Sequence, residues 1–237
     1  MRALIIQNDA QDPPGRVLDV LHQLKWEIEI VLMGQEQKVP FFEDFHCMVL
    51  LGGPMNVDDV TEYPYLKKIR TITADALEKG FPVLGLCLGA QMLSRASGCI
   101  VQRNSGRELG WCKVRLTEEG LKDPVMAGIE SSLEVFQWHY DMFEQPNKSS
   151  LLAISDRCRN QIIRIGKLSY GFQSHIEVNL QIVSNWITSN YNEVESVLGP
   201  GGAEKLLQLT VERMPVYDAV CSSILLNYFR MVAAINK

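Results

Sequence analysis

The chain has 237 residues, of which 46% are hydrophobic, enough for one sizeable core, and a single domain over residues 1–237 is expected. A formal net charge of −5 with no basic run argues against a nucleic-acid surface and favours a small-molecule substrate. Asp9 interrupts the N-terminus before a secretory apolar core could form, and no apolar run reads as long enough for a bilayer, so a cytoplasmic protein without a membrane partner is expected.

Residues 2–6 form a short apolar strand that ends at Asn8-Asp9. Pro13-Pro14-Gly15 then punctuates the chain before Val17, Leu18, Leu21 and Leu24 at helical spacing. Residues 27–32 alternate Ile28, Ile30 and Leu32 with polar groups, a second strand, and residues 47–51 are a fully apolar third. Gly52-Gly53-Pro54 and a polar loop lead to Leu66, Ile69, Thr73, Ala76 and Leu77 at helical spacing, closed by Gly80. Residues 81–86 give a fourth strand. A helix with Leu88, Met92, Leu93 and Ala96 on its inner face follows and stops at Gly98. Alternating strand and helix predicts an α/β fold: a doubly wound, mostly parallel sheet flanked by helices, flavodoxin-like, with its site at the carboxyl ends of the strands.

The middle of the chain reads as strands at residues 99–102, 113–116, 133–138, 151–155, 161–165 and 170–173. From Asn179 the pattern is helical: Leu180, Val183 and Ile187 in one segment, Leu206, Leu207 and Val211 in another. Ile224, Leu225, Tyr228, Val232 and Ile235 mark a last helix. Gly199-Pro200-Gly201-Gly202 lacks the lysine and hydroxyl of a phosphate-binding loop and reads as a helix connection. Residues 186–237 are thus a helical C-terminal extension that either covers the sheet or mediates self-association.

Cys87 stands between Gly85 and Gly89 where the fourth strand turns into a helix. That pattern is a nucleophile elbow: the tight turn strains the nucleophile and leaves no room for a Cβ two residues before or after it. It also sets the sulfur at a helix N-terminus, whose unpaired N–H groups favour negative charge. The other cysteines, Cys47, Cys99, Cys112, Cys158 and Cys221, show no zinc or dithiol spacing and read as packing residues. Four histidines without ligand spacing complete the expectation of no metal and no cofactor.

A cysteine nucleophile needs a base, and the candidate His175 is followed two residues later by a carboxylate, Glu177. In an extended segment the two side chains would share a side, so that Glu177 could orient the imidazole. His22, on the first helix, and His46, before a strand, read as structural or exposed.

Three motifs in register, Gly52-Gly53-Pro54, Gly85-Leu86-Cys87-Leu88-Gly89-Ala90-Gln91 and Gly171-Phe172-Gln173-Ser174-His175-Ile176-Glu177, resemble the signatures of class I, triad-type glutamine amidotransferases over about residues 1–185. Glu62-Tyr63-Pro64-Tyr65, Glu108-Leu109-Gly110-Trp111 and Trp138-His139-Tyr140-Asp141 look most like the branch related to the amidotransferase domain of GMP synthase. The resemblance implies that Cys87 attacks the glutamine amide to give a γ-glutamyl thioester, that His175 carries the proton to departing ammonia, and that Glu177 holds His175. It further implies an oxyanion hole from the N–H groups of Gly53 and Leu88, and a glutamine pocket lined by Gln91, His139, Tyr140 and Asp141. The family commonly reads Gln-Phe-His-Pro-Glu, so Ser174 and Ile176 are departures that loosen the backbone around the base and leave altered substrate fit open. No synthetase domain is read after the motifs. A glutamine amidotransferase that serves a separate synthetase subunit or self-associates, a γ-glutamyl peptidase, and a non-catalytic subunit of the same fold all remain open.

Overall fold

The computed structural model describes residues 1–34 and 38–236. In chain order it contains β1 (Arg2–Gln7), α1 (Arg16–Gln23), β2 (Glu27–Leu32), β3 (Cys47–Leu50), α2 (Tyr65–Glu78), β4 (Val83–Leu86), α3 (Leu88–Ala96) and β5 (Val101–Leu116). Then come α4 (Glu118–Lys122), β6 (Ser132–Phe143), β7 (Ser149–Ile154), β8 (Ile162–Ile165), β9 (Ser169–Phe172), α5 (Leu180–Ser189), α6 (Tyr191–Leu198) and α7 (Gly202–Ile235).

One sheet of nine strands runs β2-β1-β3-β4-β9-β8-β7-β5-β6. The first five are mutually parallel, as the alternation of strand and helix requires. From β9 to β6 every pairing is antiparallel. The parallel character expected from the sequence therefore belongs to half of a mixed sheet. β8 and β9 are joined by residues 166–168 alone, and so short a link can form a hairpin but no crossover.

Alternation along the parallel strands feeds two cores. Ala3, Ile5, Cys47, Val49, Leu84 and Leu86 face one layer with α1, α5 and α7. Leu4, Ile6, Met48, Leu50 and Val83 face the other, with Leu66, Ile69 and Ala76 of α2 and Met92 and Leu93 of α3.

Two elements, β5 and α7, depart most from the sequence reading. Residues 99–102 and 113–116 were expected as separate strands, but β5 is continuous, with a register irregularity between Arg103 and Glu108. It pairs with the 12-residue β6, so the Glu108–Trp111 and Trp138–Asp141 motifs are partners on one ribbon; polar and glycine residues there hide the strand pattern. The last two helical segments are one, α7, which runs through Pro215. Its buried stripe, with Leu206, Thr210, Met214, Tyr217, Cys221 and Ile224, passes the proline unbroken. Pro215 itself is exposed, so the Val211 carbonyl that loses its donor can be hydrated. By length and composition α7 is also apolar enough to cross a bilayer, contrary to the sequence expectation; here Tyr217, Cys221, Leu225, Tyr228, Phe229 and Val232 are buried in the core beneath the sheet.

The fit of α3 against the sheet is glycine-dependent. A Cβ on Gly89 would run into the Leu50 carbonyl of β3, and one on Gly85 into the backbone of Gly89. Gly89→Ala is therefore expected to lower stability by about 3 kcal/mol, read as a lower denaturant midpoint.

Candidate active site

The chain goes from β1 out to β2 and then back across to β3 on the other side of β1, and at such a reversal the strand ends leave a crevice. Into it come the residues after β1 (Asn8 to Asp12), after β3 (Gly52 and Gly53), after β4 (Cys87) and after β9 (Gln173 to Glu177).

Cys87 caps the N-terminus of α3 with φ 50° and ψ −105°, a left-handed conformation that costs a non-glycine residue about 1–3 kcal/mol. Its N–H donates to the Phe172 carbonyl at 2.8 Å and its carbonyl accepts from Gln91 N–H at 3.0 Å, so β9 and the helix hold the strain in place. The sulfur lies 3.9 Å from Gln173 Nε2.

His175 is almost wholly buried, and its Nδ1 sits 2.6 Å from Glu177 Oε1. The intervening backbone is a bend and turn rather than the extended segment expected; the turn, not strand alternation, brings the two side chains together. That turn is held on every side. The His175 N–H donates to the Phe136 carbonyl at 3.0 Å. Tyr217 Oη of α7 donates to the His175 carbonyl at 2.9 Å, and Arg16 Nη1 to the Ile176 carbonyl at 2.7 Å. Arg16 N–H donates to the Glu177 carbonyl at 2.8 Å, and Asp218 pairs with the same guanidinium. Trp186 of α5 packs edge-on against the imidazole, with ring centroids 4.9 Å apart. Ile176, which departs from the family's proline, is buried in the core, so the backbone is not loosened.

His175 Nε2 has no hydrogen-bond partner among the described residues, and His175 and Cys87 line the same cavity of about 280 Å³. Burial alone would push the imidazole's pKa down. The Cys87 sulfur and the Glu177 carboxylate outweigh burial and hold it well above its ordinary value, which favours the imidazolium.

Gly52 and Gly53 fit between these groups because they lack side chains. A Cβ on Gly52 would lie 3.1 Å from His175 Cε1, and one on Gly53 would lie 2.9 Å from Leu88 Cδ2. The N–H groups of Gly53 and Leu88 donate to no backbone acceptor among the described residues, which leaves two donors free beside Cys87.

Gln91, His139, Tyr140 and Asp141 all line the cavity, but bonds to one another occupy much of their polar surface. The Asp141 carbonyl is the partner of both Gln91 Nε2, at 3.0 Å, and His139 Nδ1, at 3.1 Å. Arg103 and Arg107 stack on Tyr140 at 4.8 and 4.3 Å. Against the expectation of no ligand clustering, Glu108, His139 and Cys158 meet in the interior with ligand atoms within 4.8 Å of one another. Cross-strand pairing of Glu108 with His139 makes the group, and sequence spacing cannot show it.

Asp12, Trp186 and Glu193 also line the cavity, and sequence reasoning did not single them out. Asp12 had one available signal: it lies in the loop after β1, at a carboxyl end of the parallel sheet. Trp186 and Glu193 had none, since they arrive from the C-terminal helices through tertiary packing. Burial raises the Asp12 carboxyl from 3.8 to about 7, against the pull of His175, and Glu177 and Asp9 add to the rise.

Between those two values the folded state keeps a proton that the unfolded chain has released, so Asp12 makes stability fall as pH rises from about 4 to 7. Asp12→Asn is expected to stabilise the protein by about 1 kcal/mol or more at pH 8 and by little at pH 4, measured by denaturant titration at both pH values.

Comparison with known proteins agrees with this geometry. Residues 16–190 match the family model described as glutamine amidotransferase class-I. The chain is 32% identical over 163 residues to the glutamine amidotransferase-like protein YfeJ of Salmonella typhimurium, covering 68% of each. It is 28% identical to a glutamine-hydrolyzing GMP synthase subunit of Sulfurisphaera tokodaii, covering 68% of this chain and 85% of that one. Among solved structures, a glutamine amidotransferase from Thermotoga maritima superposes with a TM-score of 0.87 at 29% identity, covering 98% of both chains. Because the match runs from the start of α1 to just past α5 and includes the turn at Cys87, the chain belongs to the class I glutamine amidotransferase family.

Proposed function

We propose that the protein hydrolyses the γ-amide of glutamine through a covalent thioester on Cys87. The observation that carries this reading is the buried His175–Glu177 pair, whose imidazole lines the same cavity as a strained cysteine and whose Nε2 has no hydrogen-bond partner among the described residues. Cys87 sulfur attacks the amide carbon while the N–H groups of Gly53 and Leu88 receive the developing oxyanion; donors of this kind contribute roughly 2.7–4 kcal/mol each. His175, held as imidazolium by Glu177, gives its Nε2 proton to the amide nitrogen, and ammonia leaves as the thioester forms. Water then enters, His175 takes one of its protons, and attack on the thioester carbon releases glutamate and restores the thiolate. Gln91, His139, Tyr140 and Asp141 form the wall against which the glutamyl half rests.

The similarity to a protein named as one subunit of GMP synthase supports a second element of the reading, that a separate synthetase subunit consumes the ammonia.

The test is glutamate release from glutamine by the purified protein. Cys87→Ala is expected to abolish it, and Glu177→Gln to lower kcat by about 10²- to 10⁴-fold with KM nearly unchanged. Activity that survives Cys87→Ala would exclude the thioester route. A folded wild type that neither releases glutamate nor is labelled at Cys87 by a glutamine-like electrophile would point to a non-catalytic subunit.

A further inference from the structure

Resting on the reaction assigned above to Cys87 and His175, the leaving group has a fixed address. The departing amine takes its proton from His175 Nε2, so whatever is attached to that amine lies on the His175 side of the cavity. Asp12 is there. The site a Cβ would occupy on Gly52 is 3.1 Å from His175 Cε1 and 3.6 Å from Asp12 Oδ2, so ring and carboxylate flank the same glycine.

Four carboxylates line the cavity, and three of them are engaged. Asp9 Oδ1 accepts from Gln11 N–H at 2.8 Å. Asp141 Oδ2 accepts from Asn56 Nδ2 at 2.8 Å, and Arg103 stands 3.7 Å from its Oδ1. Glu193 accepts from Trp138 Nε1 at 3.3 Å and has Arg107 at 3.9 Å. The half-buried Asp12 carboxylate has neither a hydrogen bond nor an ion pair to a lysine or arginine among the described residues, and its neighbours Asp9 and Glu177 are also acidic. Among the described residues no lysine or arginine lines the cavity; Arg103 and Arg107 of β5 stack on Tyr140 and are drawn to Asp141 and Glu193. Three carboxylates, Asp12, Asp9 and Glu177, thus surround the single imidazolium of His175, while the guanidinium groups are held at Tyr140.

We propose that Asp12 is the specificity-determining residue for the leaving group: it admits γ-glutamyl amides of ammonia or of amines that carry a further ammonium, and it rejects γ-glutamyl peptides, whose leaving amine carries a carboxylate. An ammonium on the leaving group supplies the partner that Asp12 lacks. A carboxylate there meets Asp12, Asp9 and Glu177 with the same sign of charge, and the one cation beside them among the described residues, the His175 imidazolium, is already shared with those carboxylates and gives up its proton as the amine leaves.

Two measurements at pH 8, where Asp12 is ionised, test this. One compares kcat/KM for γ-glutamyl-1,4-diaminobutane and γ-glutamylglycine. The other does not require turnover: the rates at which cationic 2-aminoethyl and anionic 2-sulfonatoethyl methanethiosulfonate modify Cys87, read at that residue by peptide mass mapping and divided by their rates with free cysteine. Wild type is expected to favour the cationic member of each pair by about tenfold, Asp12→Asn to bring both ratios near one, and Asp12→Glu to retain the preference. Equal corrected rates of the two reagents in wild type, or ratios that Asp12→Asn leaves unchanged, overturn the proposal. If the reagent preference is present and collapses in Asp12→Asn while wild type cleaves no γ-glutamyl amide, the charge selection at Asp12 stands and the reaction assigned to Cys87 falls.

Discussion

The close approach of α3 to the strand ends is the constraint on which the site depends. Gly89 lets the helix backbone meet the Leu50 carbonyl of β3, Gly85 leaves room beneath it, and Gly171 of β9 does the same beside Ala90. Only with all three contacts bare of side chains can the chain leave β4, reverse at φ 50° on Cys87 and enter the helix at once. The strain in that turn, about 1–3 kcal/mol, is held by hydrogen bonds to Phe172 and Gln91 and by the packing of the helix. The result is a sulfur raised at a helix N-terminus next to unpaired N–H groups.

The turn from His175 to Glu177 is over-determined in a different way. A neutral hydrogen bond such as that from Tyr217 contributes about 1 kcal/mol, and one from a guanidinium such as Arg16 about 1.5–3 kcal/mol. Together with the burial of Ile176 and the Trp186 ring, these fix the turn without a proline. Most of this support comes from α1, α5 and α7. The C-terminal helices are therefore part of the site's scaffold as well as the cover for one face of the sheet, and their residues Trp186 and Glu193 form part of the cavity wall.

The parallel half was legible because three of its strands are apolar runs bounded by turn residues, Ala3 to Ile6, Cys47 to Leu51 and Val83 to Leu86, and β2 alternates apolar with polar groups. The β5–β6 ribbon was not, since Arg103, Asn104, Gly106 and Arg107 carry no strand signal and are paired or spanned only because β6 lies alongside. Pro215 reads locally as a helix break, yet a buried stripe of side chains on both sides keeps α7 whole. The local relationships at Cys87, His175 and Glu177 were readable: glycines two residues away in one case, a carboxylate two residues away in the other. The geometry that joins His175 to Glu177 was misread, because a turn can bring i and i+2 together as well as a strand can.

By itself the sequence determined the alternation that makes a parallel sheet, the glycine-flanked cysteine that must sit on a strained turn, and a histidine with a carboxylate two residues on. Each of these is set by sterics or chemistry within a few residues. Tertiary structure alone decided that Cys87 and His175 open into one cavity, that Tyr217 and Arg16 hold the turn at His175, and that Asp12 stands beside the imidazole without a hydrogen bond among the described residues. Those relationships join residues far apart in the chain, so they exist only once strand order and helix packing have brought them together, and no local pattern encodes them.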